Sequence, residues 1–223
     1  AGCDLGRLAG LEPAAVIVEI LNEDGTMARR PDLEKFAAEH NIKLGTIAEL
    51  IEYRNQHETT VEKVSQCHLP TEYGDFELTT FRDTVDNQLH FALSKPPVNP
   101  ELPVLVRVHL HDYITDVLGS SRGNLRSWPL DQAMRRINDE GGIVVVIGHD
   151  NQQEEMLARL QHYADVDSGK SSEVCKPRIA SRRVGVGSQI LKALGVTKMR
   201  LLSSPKRYSL SGFGLEVTEY ISE

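Results

Sequence analysis

Two apolar runs, LPVLVRVHL (102–110) and IVVVIG (143–148), restrict the chain more than any other feature of it. Both are short, rich in β-branched residues and bounded by turn formers, so both read as strands, the second of them buried. A third run, AAVIVEIL (14–21), has the same texture and is expected to be a buried strand as well. Such strands need cover, and the segments between them supply helices. PLDQAMRRINDEGG (129–142) has proline at its start and glycine at its end, the asymmetry of an amphipathic helix. VEKVSQCHL, DFELTTFRD and NQLHFALS are successive strands, the last two joined by a short turn at 83–86. Helices are also predicted from Pro31 through His40, at 46–54 with Thr46 and Glu49 as a capping box, at 152–163, and at 184–196 after a glycine-rich start. KMRLLS and LEVTEYI close the chain as strands. Strands and helices mix without strict alternation, so the fold class is α+β. The polar stretch RNQHETT (54–60) marks a change of texture and is read as a linker.

Composition narrows the partners. A net charge of -7 argues against a protein built as a whole to embrace nucleic acid or an anionic membrane. No apolar run approaches the roughly 20 residues of a spanning helix. The first residues, AGCDLGRLAG, have neither the basic nor the apolar region of a signal peptide. Cys3, Cys67 and Cys175 are odd in number and form no C-x-x-C pair, which argues for a reducing, cytoplasmic compartment and against a thiolate zinc cage.

Four places could carry chemistry. Glu19 interrupts an apolar run, so it either lies at an exposed end or is placed there for use, because burying an unpaired carboxylate is costly. His109 and His111 stand at i and i+2 on a strand, share one face, and precede Asp112; they could chelate a metal, or be ordinary strand residues with no third nitrogen or sulfur ligand nearby. RRVGVGSQ (182–189) sets two arginines before a glycine-rich helix start, and SSPKRY (203–208) sets Lys206 and Arg207 after Ser-Ser-Pro; both suit a phosphate.

At this point the residues carry a family likeness. Residues 1–54, above all DLGRLAGLEPAAVIVEILNEDGTMAR, resemble the C-terminal part of 3,4-dihydroxy-2-butanone 4-phosphate synthase. That family makes formate and a four-carbon phosphate from ribulose 5-phosphate with Mg2+ or Mn2+. The resemblance implies that Glu19 is the catalytic glutamate and that Ala1 ends a His-Thr-Glu-Ala motif. The metal-binding histidine would then precede this chain, which is expected to be a truncated product of a longer parent. Residues 62–223 resemble GTP cyclohydrolase II in HLPTEYGDFELTTFRD, PVLVRVHL, VGVGSQILKALGVTKMRLL and SGFGLEVTEY. That family opens the GTP imidazole ring with a zinc-activated water, releasing formate and pyrophosphate. The resemblance implies that Arg107 contacts substrate, that Arg182 attacks the α-phosphate, that Tyr163 lies near a catalytic tyrosine and that Lys206 lies near a phosphate-binding lysine. The domains implied are 1–54, a linker at 55–61, and 62–223.

The departures from the family pattern weigh more. Its three zinc cysteines fall at about Asp112, Asn124 and Arg126, none of them a thiolate. An arginine brings a positive charge and no lone pair, so zinc is not expected. The Gln-Glu-Gly-Arg signature survives only as NQQEEM, Ala180 replaces an acidic residue, and the Thr-Asn-Asn-Pro segment shortens to Ser203-Ser204-Pro205. The expected function is thus a synthase-bearing riboflavin protein whose cyclohydrolase-like domain is inactive and structural or regulatory. Two alternatives stay open: a divergent cyclohydrolase using His109, His111 and Asp112 with Mg2+ or another metal, and a nucleotide sensor working through Arg107, Arg182 and Lys206. The partners implied are small phosphorylated metabolites and a second copy in a homodimer. Without its metal staple, the loop after His111 is expected to be mobile.

Overall fold

A computed structural model describes residues 1–97, 102–122, 128–148, 152–170, 181–205 and 213–222. They form two compact units, Ala1–His57 and Glu58–Glu223.

The first unit holds α1 (Gly2–Leu8), α2 (Arg30–Glu39) and α3 (Ile47–His57). Local chemistry sets their ends. At the start of α2 the Arg29 amide donates to the Asp32 carboxylate at 2.9 Å, and Pro31 needs no amide partner there. At the start of α3 Thr46 N donates to Glu49 Oε2 at 2.8 Å while Glu49 N donates to Thr46 Oγ1 at 3.1 Å, the reciprocal box read from the sequence. The helix then runs on through Arg54–His57, so part of the expected linker is helical. Its Arg, Asn and Gln are good or tolerable helix formers, and polarity alone does not end a helix.

One expectation fails outright. Residues 14–21 form no buried strand: Val16 is 100% exposed and Val18 87%. The only ladder contact of this stretch is a bridge from Leu21 to Met27 around the turn at Asn22–Gly25. A strand is defined by its neighbours, and no other segment of residues 1–57 lies alongside to pair with this one.

The second unit is built on one seven-stranded sheet. Its strands are β1 (Val61–Thr71), β2 (Gly74–Asp83), β3 (Leu89–Lys95), β4 (Val104–Leu110), β5 (Gly142–Ile147), β6 (Lys198–Leu202) and β7 (Glu216–Ile221), in the spatial order β1-β2-β3-β5-β4-β6-β7. The first three and β5 pair antiparallel, whereas β5, β4, β6 and β7 pair in parallel. The sheet is therefore mixed, as α+β implies. Among the described residues this unit has three longer helices: α4 (Leu130–Glu140), α5 (Gln152–Asp167) and α6 (Ser181–Ala193).

Alternation along the apolar strands divides the core between the two faces. Val104 and Val106 of β4, with Ile143, Val145 and Ile147 of β5, pack with Val186, Ile190 and Leu191 of α6. Leu105 and Val144 point the other way and pack with Ala133, Met134 and Ile137 of α4. A strand buried on both faces explains why these two runs are apolar apart from Arg107 and His109. Gly187 lets α6 lie close on the sheet, since a Cβ there would stand 3.3 Å from a Val108 methyl. The glycines at 185 and 187 thus sit inside the helix rather than before it, and the helix-start anion site expected at 182–189 is not formed by their amides.

Candidate functional site

Because β5, β4, β6 and β7 run parallel, their carboxyl ends share one edge. The chain reverses its direction of travel at β4: α4 leads to β5 on one side, while the later connection through α6 leads to β6 on the other. In open sheets with helices on both faces, the crevice outside such a reversal is the usual ligand position. Here it is bordered by the end of β4, the following segment and α5.

His109, only 1% exposed, points from β4 to Asp116, whose Oδ2 lies 2.9 Å from its Nε2. Asp116 sits in a single π-helical turn, Tyr113–Val117. The same Oδ2 accepts the Asp112 amide at 2.7 Å and lies 3.4 Å from His111 Nδ1. A carboxylate that accepts from an amide in this way leaves His109 to carry its proton on Nε2. The histidine pair is thereby gathered on a carboxylate. Among the described residues no group of three or more His, Cys, Asp or Glu is arranged to hold a metal ion.

Asp112 is occupied twice over. Its Oδ1 accepts from Ile114 N at 3.0 Å and Thr115 N at 3.1 Å, capping the turn. Arg159 of α5 also takes it bidentately, Nη1 to Oδ2 at 2.6 Å and Nη2 to Oδ1 at 2.7 Å. The hydrogen bond to Asp112 holds the Arg159 guanidinium above its ordinary pKa, against a burial that would lower it. These residues do not fit the zinc of the resembled family, because the one described candidate ligand already has both oxygens on a guanidinium. Asn124 and Arg126 lie outside the described residues.

A second pair of the same kind follows. Arg122 donates to Asp167 through Nη1 at 2.8 Å and Nη2 at 2.6 Å, lowering the Asp167 pKa below the usual aspartate value of 3.8. Tyr163 stands between the two pairs. Its hydroxyl donates to the Arg122 carbonyl at 3.1 Å, and the Arg122 guanidinium lies 4.5 Å from its ring centre. Residues 112–122 are therefore fastened to α5 at both ends, and the remainder of the loop expected to be mobile, 123–127, lies outside the described residues.

The predicted site residues fall into three groups. Tyr163 joins the histidines and Asp112 in this network. Arg107 does not: it is buried within the sheet, donating to the carbonyls of Leu202 and Trp128 at 2.7 Å each. Glu19 belongs to the first unit and is exposed. The Arg182 side chain and all of Lys206 lie outside the described residues, although the Arg182 backbone is part of α6. Sequence reasoning missed Asp116, Arg159 and Asp167. A signal existed for one of them, since Arg159 stands four residues before Tyr163 within the segment read as helix, whereas Asp167 lies beyond the expected helix end at 163 and falls on the same face only because α5 runs on to it.

The comparisons with known proteins agree with the likeness seen in the residues. The family description GTP cyclohydrolase II matches residues 62–222, and that of 3,4-dihydroxy-2-butanone 4-phosphate synthase matches residues 1–53. A protein of Photobacterium phosphoreum named 3,4-dihydroxy-2-butanone 4-phosphate synthase is 51% identical over 99% of this chain and 60% of its own length. A riboflavin biosynthesis protein RibBA of Aquifex aeolicus is 41% identical over 99% of this chain and 56% of its own. Among solved structures, RibBX from A. baumannii, a two-domain 3,4-dihydroxy-2-butanone 4-phosphate synthase, superposes with a TM-score of 0.68 at 41% identity, covering 100% of this chain and 58% of that one. The chain thus spans about 60% of the length of the curated relatives it matches.

Proposed function

The chain belongs to the GTP cyclohydrolase II family, with a portion of 3,4-dihydroxy-2-butanone 4-phosphate synthase at its front, and from that premise we propose a function in riboflavin biosynthesis. The parent protein forms 3,4-dihydroxy-2-butanone 4-phosphate and formate from ribulose 5-phosphate, with Glu19 as a catalytic carboxylate and Mg2+ or Mn2+ bound by its synthase part. The cyclohydrolase-like domain is a scaffold or regulator that does not hydrolyse GTP. Arg107, Tyr163, Arg182 and Lys206 are then vestiges of a substrate site. The parent acts in the cytoplasm as a homodimer.

One observation carries the reading of the second domain: the bidentate hold of Arg159 on Asp112. Zinc chemistry of this kind lowers a water's pKa toward neutrality and needs an open coordination position. A carboxylate neutralised by a guanidinium supplies neither ligand nor vacancy. With Asp116 drawn onto His109 and His111, the histidine pair offers no ready substitute.

The test is a side-by-side assay of the full-length parent with ribulose 5-phosphate and with GTP, following formate release. Formate from ribulose 5-phosphate alone is the expected result. Formate and pyrophosphate from GTP, dependent on an added divalent metal and abolished by His109→Ala, would replace this reading with that of an active divergent cyclohydrolase. Heat on titrating GTP without turnover would make the domain a nucleotide sensor.

A further inference from the structure

α5 lies on its unit without burying a single described side chain. Leu157 and Leu160 face solvent, 69% and 44% exposed, so apolar burial does not explain why the helix sits where it does. What it has instead is a polar stripe at four-residue spacing. Glu155 meets Arg183 of α6 at 3.2 Å, Arg159 grips Asp112, Tyr163 stacks under Arg122, and Asp167 grips Arg122. Residues 155, 159, 163 and 167 fall on one helix face and reach partners on two separate segments.

The polarity of the two bidentate pairs is opposed. At residue 159 the helix gives the cation and the loop the anion; at residue 167 the helix gives the anion and the loop the cation. That alternation admits one register only. Sliding α5 by one turn would bring Arg159 toward Arg122, or Asp167 away from any guanidinium in the pair. The loop end is anchored in turn to the sheet, through Asp116 on the buried His109.

We propose that Asp112–Arg159 and Arg122–Asp167 form a charge clasp that fastens residues 112–122 to α5 by ion pairing alone. The clasp positions α5 beside the segment that follows the carboxyl end of β4. Its strength is set by ionic strength and is indifferent to divalent metal, since its members are guanidinium–carboxylate pairs at or near the surface, where salt screens them. This goes beyond the proposed loss of GTP hydrolysis, and it stands or falls separately.

Hydrogen–deuterium exchange on the full chain tests it. Raising NaCl from about 0.05 M to 1 M is expected to speed amide exchange several-fold at 113–122 and in α5, while the amides of β4 and β5 keep their protection. EDTA, or added Zn2+, is expected to change nothing there. Arg122→Asp should speed the same amides about tenfold, and the reversed pair R122D/D167R should restore most of the protection. Arg122 and Asp167 are chosen because neither side chain caps a turn and both are exposed, so the variants fold. The clasp is refuted by exchange that responds to EDTA, by exchange insensitive to both salt and Arg122→Asp, by a reversed pair that restores nothing, or by β4 and β5 amides loosening in step with α5.

Discussion

Arg107 Nη1 donates to the main-chain oxygen of Leu202 at 2.7 Å, tying the middle of β4 to the end of β6 from a position inside a strand whose other residues, His109 apart, are apolar. Nη2 reaches the Trp128 carbonyl at the same distance, and Trp128 Nε1 in turn donates to the Ile221 carbonyl at 2.8 Å. One side chain therefore satisfies two buried acceptors and indirectly holds the end of β7.

Replacing Arg107 by Met should cost about 2–4 kcal/mol, because it leaves those carbonyls without their charged donors. Lys, with one ammonium instead of a fork, should lose roughly half as much. Urea denaturation followed by circular dichroism reads both. A loss under about 0.5 kcal/mol for Arg107→Met would mean that the residue is not structural and would return it to a ligand-binding role.

Gly142 opens β5 with φ of 141°, and a Cβ there would stand 2.3 Å from the Leu105 carbonyl oxygen. No L side chain occupies that space without moving β4. Gly142→Ala should destabilise the second unit by about 3 kcal/mol, from backbone strain and the clash together. The midpoint of thermal unfolding is the readout, and an unchanged midpoint would show that the β4–β5 spacing is softer than its packing implies.

The Arg122–Asp167 half of the clasp has a definite pH dependence. Asp167 has its folded pKa depressed below 3.8, chiefly by the hydrogen bond from Arg122. A depressed carboxylate contributes stability that is complete above its unfolded value and is lost as pH falls through the folded one. The contact is therefore intact near neutrality and gives way only below about pH 4. A carboxyl-carbon NMR titration should place the Asp167 midpoint below 3.8, and Arg122→Ala should bring it back up.

Val16 and Val18 are open to solvent at 100% and 87% exposure. Changing either to Lys should alter the stability of this chain by no more than about 0.5 kcal/mol, whereas burial would make the same change cost several. Chemical denaturation of the two variants measures this directly. A large loss would restore the buried strand expected from composition.

The positions of most elements were legible before the structure. The Thr46–Glu49 box, the Asn22–Gly25 turn, the hairpins of residues 61–95 and the two doubly buried strands each leave a signature within a few residues, because capping, turn geometry and alternation are local physics. The family likeness was legible too, in motifs that run along the chain. The glycines of 182–189 misled, since glycine serves close packing inside a helix as readily as a loop before one. AAVIVEIL misled for a different reason: β-branched composition declares that a segment suits a strand and says nothing of whether a neighbour exists.

By itself, then, the sequence determined the seven strands and three longer helices among the described residues of 61–221, the mixed α+β class and the family. Tertiary structure alone decided that β5 inserts between β3 and β4, that Arg107 serves carbonyls 21 and 95 residues away, and that Asp112 and Arg122 meet partners 47 and 45 residues on. The physical reason is separation. Periodicity records the face a side chain occupies, whereas a charge finds its counter-charge only after the sheet and α5 have brought distant residues within about 3 Å.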